Sequence, residues 1–374
     1  MPPNGPWIGD SWSDALMGFA VKDGVFGATS AALQRYLNSA KAMNRIPKVD
    51  LANPANNPAN VQRIMRLFKQ ADWNYLFPVA NKVYTYETFL QAAAKFPAFC
   101  NEKSNSLSED MDNLCKKEMI TMWAHWTQET GGHSPNINGI TQDERQSLYY
   151  LNEMGCENGG CEYTSTCSGW INEAYPCKAG QRYYGRGAKQ VSYNFNYGPF
   201  SKLMFGDVKV LLDSPDRVSQ EGWLAMASGF WFYMTPQSPK PSIHEVVVGF
   251  WSPNSVDLKN NFKRGFGTTI NIINGGVECG AKIMPQAQNR VRYYNFFASY
   301  LKLVTSSDEV MDCSAQPGGF PDGGSGTVKS YWDSDWNNAN RCQLVSWQTG
   351  FSFLFEDSYV KCVQKNALGM NVTA

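Results

Sequence analysis

Glu129 closes the apolar-striped stretch KKEMITMWAHWTQE and is followed by Thr130 and the pair Gly131-Gly132. A carboxyl group at the end of a rigid helix can serve as a proton donor, because burial disfavours its charged form and raises its pKa. The two glycines let a ligand come close to the backbone beside it. Acid–base cleavage of an acetal linkage between sugars needs a second carboxyl group facing the first, to activate water or to attack the sugar directly. Glu153, Glu157 and Glu162 lie on the loop-rich segment that follows, and spacing does not choose among them. Taken alone, each of these glutamates is also an ordinary solvated charge.

The stretch Arg182 to Gly198, RYYGRGAKQVSYNFNYG, packs amides, hydroxyls and aromatic rings between glycines. Such groups hydrogen-bond and stack on acetamido sugars. Gly185-Arg186-Gly187 is a weak phosphate-loop signal, because neither a third glycine nor a Walker lysine-serine follows it. Lys+Arg and Asp+Glu both total 33, so the formal net charge is zero. That balance argues against a nucleic-acid groove, a polybasic membrane patch or a strongly acidic ligand. The aromatic share of 14% adds weight to an uncharged sugar polymer, although core packing must claim most of those rings.

The elements that must hold these residues are mainly helical. Helical periodicity runs through VQRIMRLFKQADW from Val61, with Ile64, Leu67 and Phe68 on one face. It recurs in YTYETFLQAAAKF, where Thr85 can cap the start. Met119, Ile120, Trp123 and Thr127 give the helix leading to Glu129 its buried stripe. Further helical patterns cover 221–234, 241–251, 268–276 and 287–304, and alternating strand patterns are scarce. Residues 131–188 are loop-rich and carry four of the ten cysteines. With no C-x2-C spacing and three histidines, disulfides in an oxidising compartment account for the cysteines better than zinc. We expect neither a metal nor a cofactor.

Five separated segments, in order, resemble glycoside hydrolase family 19, the plant-type chitinases. They are AHWTQETGG (124–132), CKAGQRYYGRGAKQVSYNFNYG (177–198), FWFYMTPQSPKPSIHEVVVG (230–249), GFGTTINIINGGVECG (265–280) and NRVRYY (289–294). The resemblance runs from about Val61 to Cys313. It implies a bilobal, lysozyme-like helical domain with a long substrate cleft and disulfide-linked loops. It implies an endochitinase that cleaves β-1,4-linked N-acetylglucosamine polymers with inversion. Glu129 matches the general acid, Glu153 the general base and Ser192 the hydroxyl that helps hold the attacking water. Gln190, Asn196, Lys240 and Asn274 match sugar-contacting positions, and Tyr175 occupies an aromatic slot in the cleft. Glu278 and Arg290 match a carboxylate–guanidinium pair that tunes the acid. Cys167–Cys177 and Cys279–Cys313 fall where the family forms disulfides. Of the three pairings open to the upstream four cysteines, the short-range Cys100–Cys115 and Cys156–Cys161 are our choice, and Cys342–Cys362 closes the C-terminal segment.

The sequence also departs from the family pattern. Gln128 replaces His before the acid, Ala188-Lys189 stands where many members have Pro-Ile, and Phe195 replaces Tyr. No departure removes a catalytic carboxylate, so altered subsite affinity is the expectation. A catalytically inactive chitin-binding relative and a peptidoglycan-cleaving enzyme are the rival readings, the second weakened by the zero net charge.

We divide the chain into an N-terminal extension with linker (1–60), a catalytic domain (61–313) and a linker plus Cys- and Trp-containing extension (314–374). AQPGGFPDGGSGT reads as a flexible linker. Beyond it, Trp332, Trp336 and Trp347 suggest either a packed tail or an accessory sugar-binding element. The chain lacks both a signal-peptide pattern at its start and a run of about 18–20 apolar residues. We expect a secreted monomer whose signal is not part of this chain, with no nucleic-acid or membrane partner.

Overall fold

In the computed structural model, the described residues are 42, 48–102, 110–168, 171–172, 175–237, 239–280, 284–303, 309–327, 331–334 and 342–345. Their helices are α1 Ala59–Leu67, α2 Gln70–Leu76, α3 Tyr86–Lys95, α4 Met111–Thr130, α5 Asn194–Phe205, α6 Lys209–Asp213, α7 Arg217–Gln220, α8 Gly222–Met234, α9 Ile243–Val248, α10 Ser255–Lys259, α11 Phe266–Glu278 and α12 Pro285–Tyr300. The two strands, β1 Tyr331–Ser334 and β2 Cys342–Val345, pair antiparallel, with Tyr331 opposite Val345. The fold is mainly helical, as the periodicity predicts.

The centre of the molecule is α4, which packs most heavily against α12 and also meets α1, α8, α9 and α11. An amphipathic surface helix buries one stripe, but α4 buries nearly every side chain from Glu118 to Thr127. Rings from other elements close on it. Trp123 lies among Phe68, Phe77, Phe89 and Phe297, while Trp126 meets Phe89 and Phe230. Gly229 of α8 lies directly under the Trp126 indole. A Cβ there would stand 2.4 Å from Nε1, so any side chain would force α8 away from α4. The buried Glu118 carboxylate accepts from Cys100 N at 2.8 Å and pairs with His244 of α9. Two buried polar groups are thereby satisfied together.

One expected helix is two. α1 stops at Leu67, Phe68 is extended (φ −143°, ψ 121°), and the Asp72 carboxylate accepts Lys69 N–H at 2.7 Å to start α2. The break turns Phe68 into the aromatic centre, where it is fully buried. Four disulfides cross-link the loops: Cys100–Cys115, Cys156–Cys161, Cys167–Cys177 and Cys279–Cys313. The expected Cys342–Cys362 pair lies outside the described residues, as do the side chains of Trp332, Trp336 and Trp347.

Residues 314–327 lie against the helical domain, where composition suggests a free linker. Gln316 and Phe320 are buried, and Phe320 packs on Phe262 with centroids 4.2 Å apart. Gln316 donates to Thr268 Oγ1 at 3.1 Å, Asn271 donates to Pro317 O at 2.8 Å, and Ser325 N–H and O–H both reach Asp257. Polar partners on α10 and α11 thus tie down a segment whose own residues carry little apolar area.

Candidate active site

The end of α4 and the loop after it are built as one unit. Thr130 Oγ1 donates back to Trp126 O at 2.7 Å and accepts Leu148 N–H at 3.0 Å, while Tyr150 N–H reaches Thr130 O at 2.9 Å. These bonds fasten the chain that runs on to Glu153 against the helix that carries Glu129. The Glu129 side chain is 18% exposed. Its Oε1 accepts from Arg290 of α12 and its Oε2 lies 3.5 Å from Lys189 Nζ.

This environment reverses the expectation that burial keeps Glu129 protonated. Burial does favour the neutral carboxyl group, but the charges of Lys189 and Arg290 outweigh it and bring the pKa below the usual glutamate value. These charges favour the carboxylate form.

Arg290 is the hub behind the acid. Its Nε and Nη2 each make a 2.8 Å bond to Glu278, a bidentate pair in which both side chains are 1% exposed. Arg290 Nη1 also reaches His125 Nδ1 at 3.2 Å. The Thr269 hydroxyl donates to Phe266 O, so it accepts from His125 Nε2–H at 2.9 Å. His125 is therefore the neutral Nε2–H tautomer, with Nδ1 accepting from Arg290. Burial, then the charges of Arg290 and Lys189, push its pKa well below the ordinary histidine value, in agreement with that assignment. Asn274 sits at a kink in α11 (φ −152°) and donates to Glu278 Oε1 at 3.0 Å, so it belongs to this network.

Glu153 is held from two sides. Tyr163 O–H donates to Oε1 at 2.8 Å and Gly185 N–H to Oε2 at 2.9 Å, while Glu153 N–H donates to Gly185 O at 2.8 Å. Burial, and then the nearby carboxylate, push the Tyr163 phenol up to about 12, so it remains a donor. Glu157 and Glu162, equal candidates by spacing, are exposed; Glu157 accepts a hydrogen bond from Asn152. The Cys156 and Cys161 sulfurs lie near the Glu153 carboxylate but are joined to each other, so they offer it no thiolate.

The segment 185–190 touches both glutamates, Gly185 on Glu153 and Lys189 on Glu129. Its shape depends on Gly187, at φ +76°, where a Cβ would lie 2.5 Å from Ser228 Oγ and 2.8 Å from Ala225 O. Only glycine takes that conformation in that space. Ala188 N–H then bonds Ala225 O at 3.0 Å, pinning the loop to α8.

Ser192 O–H donates to Gln190 O at 3.0 Å. The Gln190 amide nitrogen is spent on Gly187 O and Leu151 O, at 3.0 and 3.3 Å. Asn196 donates to Ser192 O at 3.0 Å. Lys240 Nζ donates to Ile272 O at 3.0 Å, and burial, then the charge of Lys189, lower its pKa to about 8. Tyr175 is placed otherwise than as a cleft-lining ring. It is 3% exposed, with its ring packed against Gly198 and its carbonyl accepting from Asn194. Its face is used in packing here. Sequence reasoning did not single out Lys189 as an acid contact, nor Tyr163 at all. The Pro-Ile to Ala-Lys departure was a signal for the first, and a tyrosine inside a long loop gives none for the second.

The profile of the glycoside hydrolase family described as class I chitinase matches residues 67–313, and the chain belongs to that family. The basic endochitinase of Vitis vinifera is 36% identical over 234 residues, covering 62% of this chain and 67% of the relative. An endochitinase of Solanum tuberosum is 38% identical over 234 residues, covering 62% of this chain and 64% of the relative. The chain thus spans about two thirds of the length of these relatives. Among solved structures, chitinase C from Streptomyces griseus HUT6037 is similar at 29% identity and a TM-score of 0.49, covering 66% of this chain and 97% of that one.

Proposed function

We propose that this chain is an endochitinase that hydrolyses β-1,4-linked N-acetylglucosamine chains with inversion, Glu129 acting as general acid and Glu153 as general base. The observation that carries the reading is the loop 185–190, which contacts Glu153 through Gly185 and Glu129 through Lys189 and so supports taking the two glutamates together. Glu129 gives its proton to the leaving glycosidic oxygen. A neutral sugar chain laid over it removes water, and desolvation favours the protonated form that this step requires. Glu153 takes a proton from water attacking the opposite face of the ring, with Ser192 beside it. Tyr163 and Gly185 keep its carboxylate oriented, which supports Glu153 over Glu157 and Glu162. Inversion needs room for that water, about 6.5–9.5 Å between the carboxyl groups in the productive complex. Gln190, Asn196, Lys240 and Asn274 are proposed sugar contacts. For Gln190 this means contact through the amide oxygen, since both of its N–H groups are engaged. The four disulfides support passage through an oxidising compartment.

The test compares wild type, Glu129→Gln and Glu153→Gln on chitin oligosaccharides and on a bacterial cell-wall preparation. Each substitution should lower turnover of chitin oligosaccharides by about 10²–10⁴-fold, Glu129→Gln the more, while binding survives. Undiminished activity in Glu153→Gln would move the base to Glu157 or Glu162. Binding of chitin oligosaccharides by the wild type without cleavage would mark a lectin-like relative, and preferential cleavage of the bacterial wall a muramidase.

A further inference from the structure

We propose that Lys189 is a positioning residue that holds the second oxygen of Glu129 and thereby sets the pH at which the cleft works. The proposal rests on reading Glu129 as the proton donor. Each oxygen of that carboxylate has its own cation, from a different element: Arg290 of α12 on Oε1 and Lys189 of the 185–190 loop on Oε2. The two cations are not equivalent. Arg290 is engaged twice by Glu278, so that pair is close to neutral as a unit. Lys189 is the cation left to balance Glu129.

Lys189 is also a placed side chain rather than a mobile surface one. It is 14% exposed, its ammonium stands 4.6 Å from the Phe232 ring centroid, and its loop is pinned to α8 through Ala188 and the glycine turn. An ammonium over an aromatic face in a partly dry site gains cation–π stabilisation that fixes its position. Among the described residues, the titratable groups on the elements around Glu129 have partners of their own. His125, on α4 itself, is the neutral tautomer; Glu278 of α11 is paired with Arg290; Lys240, from the turn at 237–240, donates to Ile272 O; and His133, past the end of α4, pairs with Asp143.

The consequence follows from charge. A cation beside the carboxylate stabilises its ionised form, so removing it makes Glu129 hold its proton to higher pH. The optimum of kcat/KM lies midway between the two apparent pKa values of the acid–base pair, so it moves up whichever glutamate ionises first. The experiment uses Lys189→Met, which keeps the apolar stem on Phe232, and Lys189→Arg, which keeps the charge. The substrate-free enzymes are titrated by carbon-13 NMR with labelled glutamate carboxyl groups, the Glu129 signal being assigned by its loss in Glu129→Gln. The kcat/KM–pH profile is measured with a chitin oligosaccharide. Lys189→Met should raise the Glu129 midpoint by about one pH unit, the order expected for one adjacent opposite charge, and raise the optimum by about half a unit. Lys189→Arg should leave both near wild type. Should Lys189→Met fail to fold, Lys189→Ile serves as the second variant. An unchanged midpoint in the uncharged variant overturns the proposal, as does a shifted midpoint with an unmoved optimum. Failure of the underlying reading appears separately, as turnover retained by Glu129→Gln.

Discussion

Arg290 is the residue whose loss should reveal how the site is held together. Its guanidinium makes two 2.8 Å bonds to Glu278 and a further bond to Glu129, and both members of the Arg290–Glu278 pair are 1% exposed. Arg290→Met removes the cation but keeps an unbranched stem of similar length. The cost is set by what stays behind, a Glu278 carboxylate inside the protein that keeps the hydrogen bond from Asn274. Breaking a buried pair from one side costs about 3–5 kcal/mol. At about 2–4 °C per kcal/mol for a domain of this size, the melting temperature should fall by roughly 10 °C. Glu129 adds less, because at 18% exposure it can recruit water. The double variant Arg290→Met/Glu278→Gln removes the stranded charge and should recover most of the lost stability while activity stays low, because Glu129 has lost its Arg290 anchor. The assay is urea denaturation of wild type, both single variants and the double variant, read as a double-mutant cycle. A double variant no more stable than Arg290→Met alone would refute the reasoning, since the penalty would then come from lost packing rather than an unpaired charge.

Two further outcomes follow from the same geometry. Tyr163→Phe deletes the 2.8 Å bond to Glu153 and should lower kcat roughly tenfold with little change in KM, since a hydrogen bond to a charged group contributes about 1.5–3 kcal/mol; steady-state kinetics on a chitin oligosaccharide checks this. Asp143 is partly buried, which raises its pKa, but its bonds from His133, Tyr293 and Arg292 outweigh burial and hold it well below the ordinary aspartate range. A depressed carboxylate pKa contributes stability above the unfolded value of about 3.9 and loses it as pH falls further. Asp143→Asn should therefore lower the melting temperature by roughly 5 °C at pH 6, and calorimetry should show the gap narrowing below about pH 4.

Much of this was legible because it is local. The stripe of Met119, Ile120, Trp123 and Thr127 placed Glu129 at the end of a buried helix, and α4 does end one residue later, at Thr130. Thr85 caps α3 as its position suggests, accepting Thr88 N–H at 3.1 Å. The four described disulfides join the cysteines that spacing and resemblance paired. What was hidden depends on groups far apart in sequence. The ionisation of Glu129 is set by Lys189 and Arg290, 60 and 161 residues away, and their charges reverse the sign that burial alone predicts. Tyr163 reaches Glu153 only because the loop between them folds back, and Tyr175 turns inward because Gly198 leaves room for its ring. Residues 314–327 look like a linker by composition, yet Asp257, Thr268 and Asn271 hold them against the domain.

The central claim, that Glu129 and Glu153 act together on a glycosidic bond with water between them, is tested most directly by the anomeric form of the first product. Proton NMR of N-acetylglucosamine hexamer, recorded from the start of hydrolysis and faster than mutarotation, reads that form at the new reducing end. The account predicts the α-anomer first, followed by relaxation to the equilibrium mixture. Initial release of the β-anomer would contradict it, because retention requires two successive inverting displacements, with water arriving last on the face that the departing sugar vacated rather than opposite it.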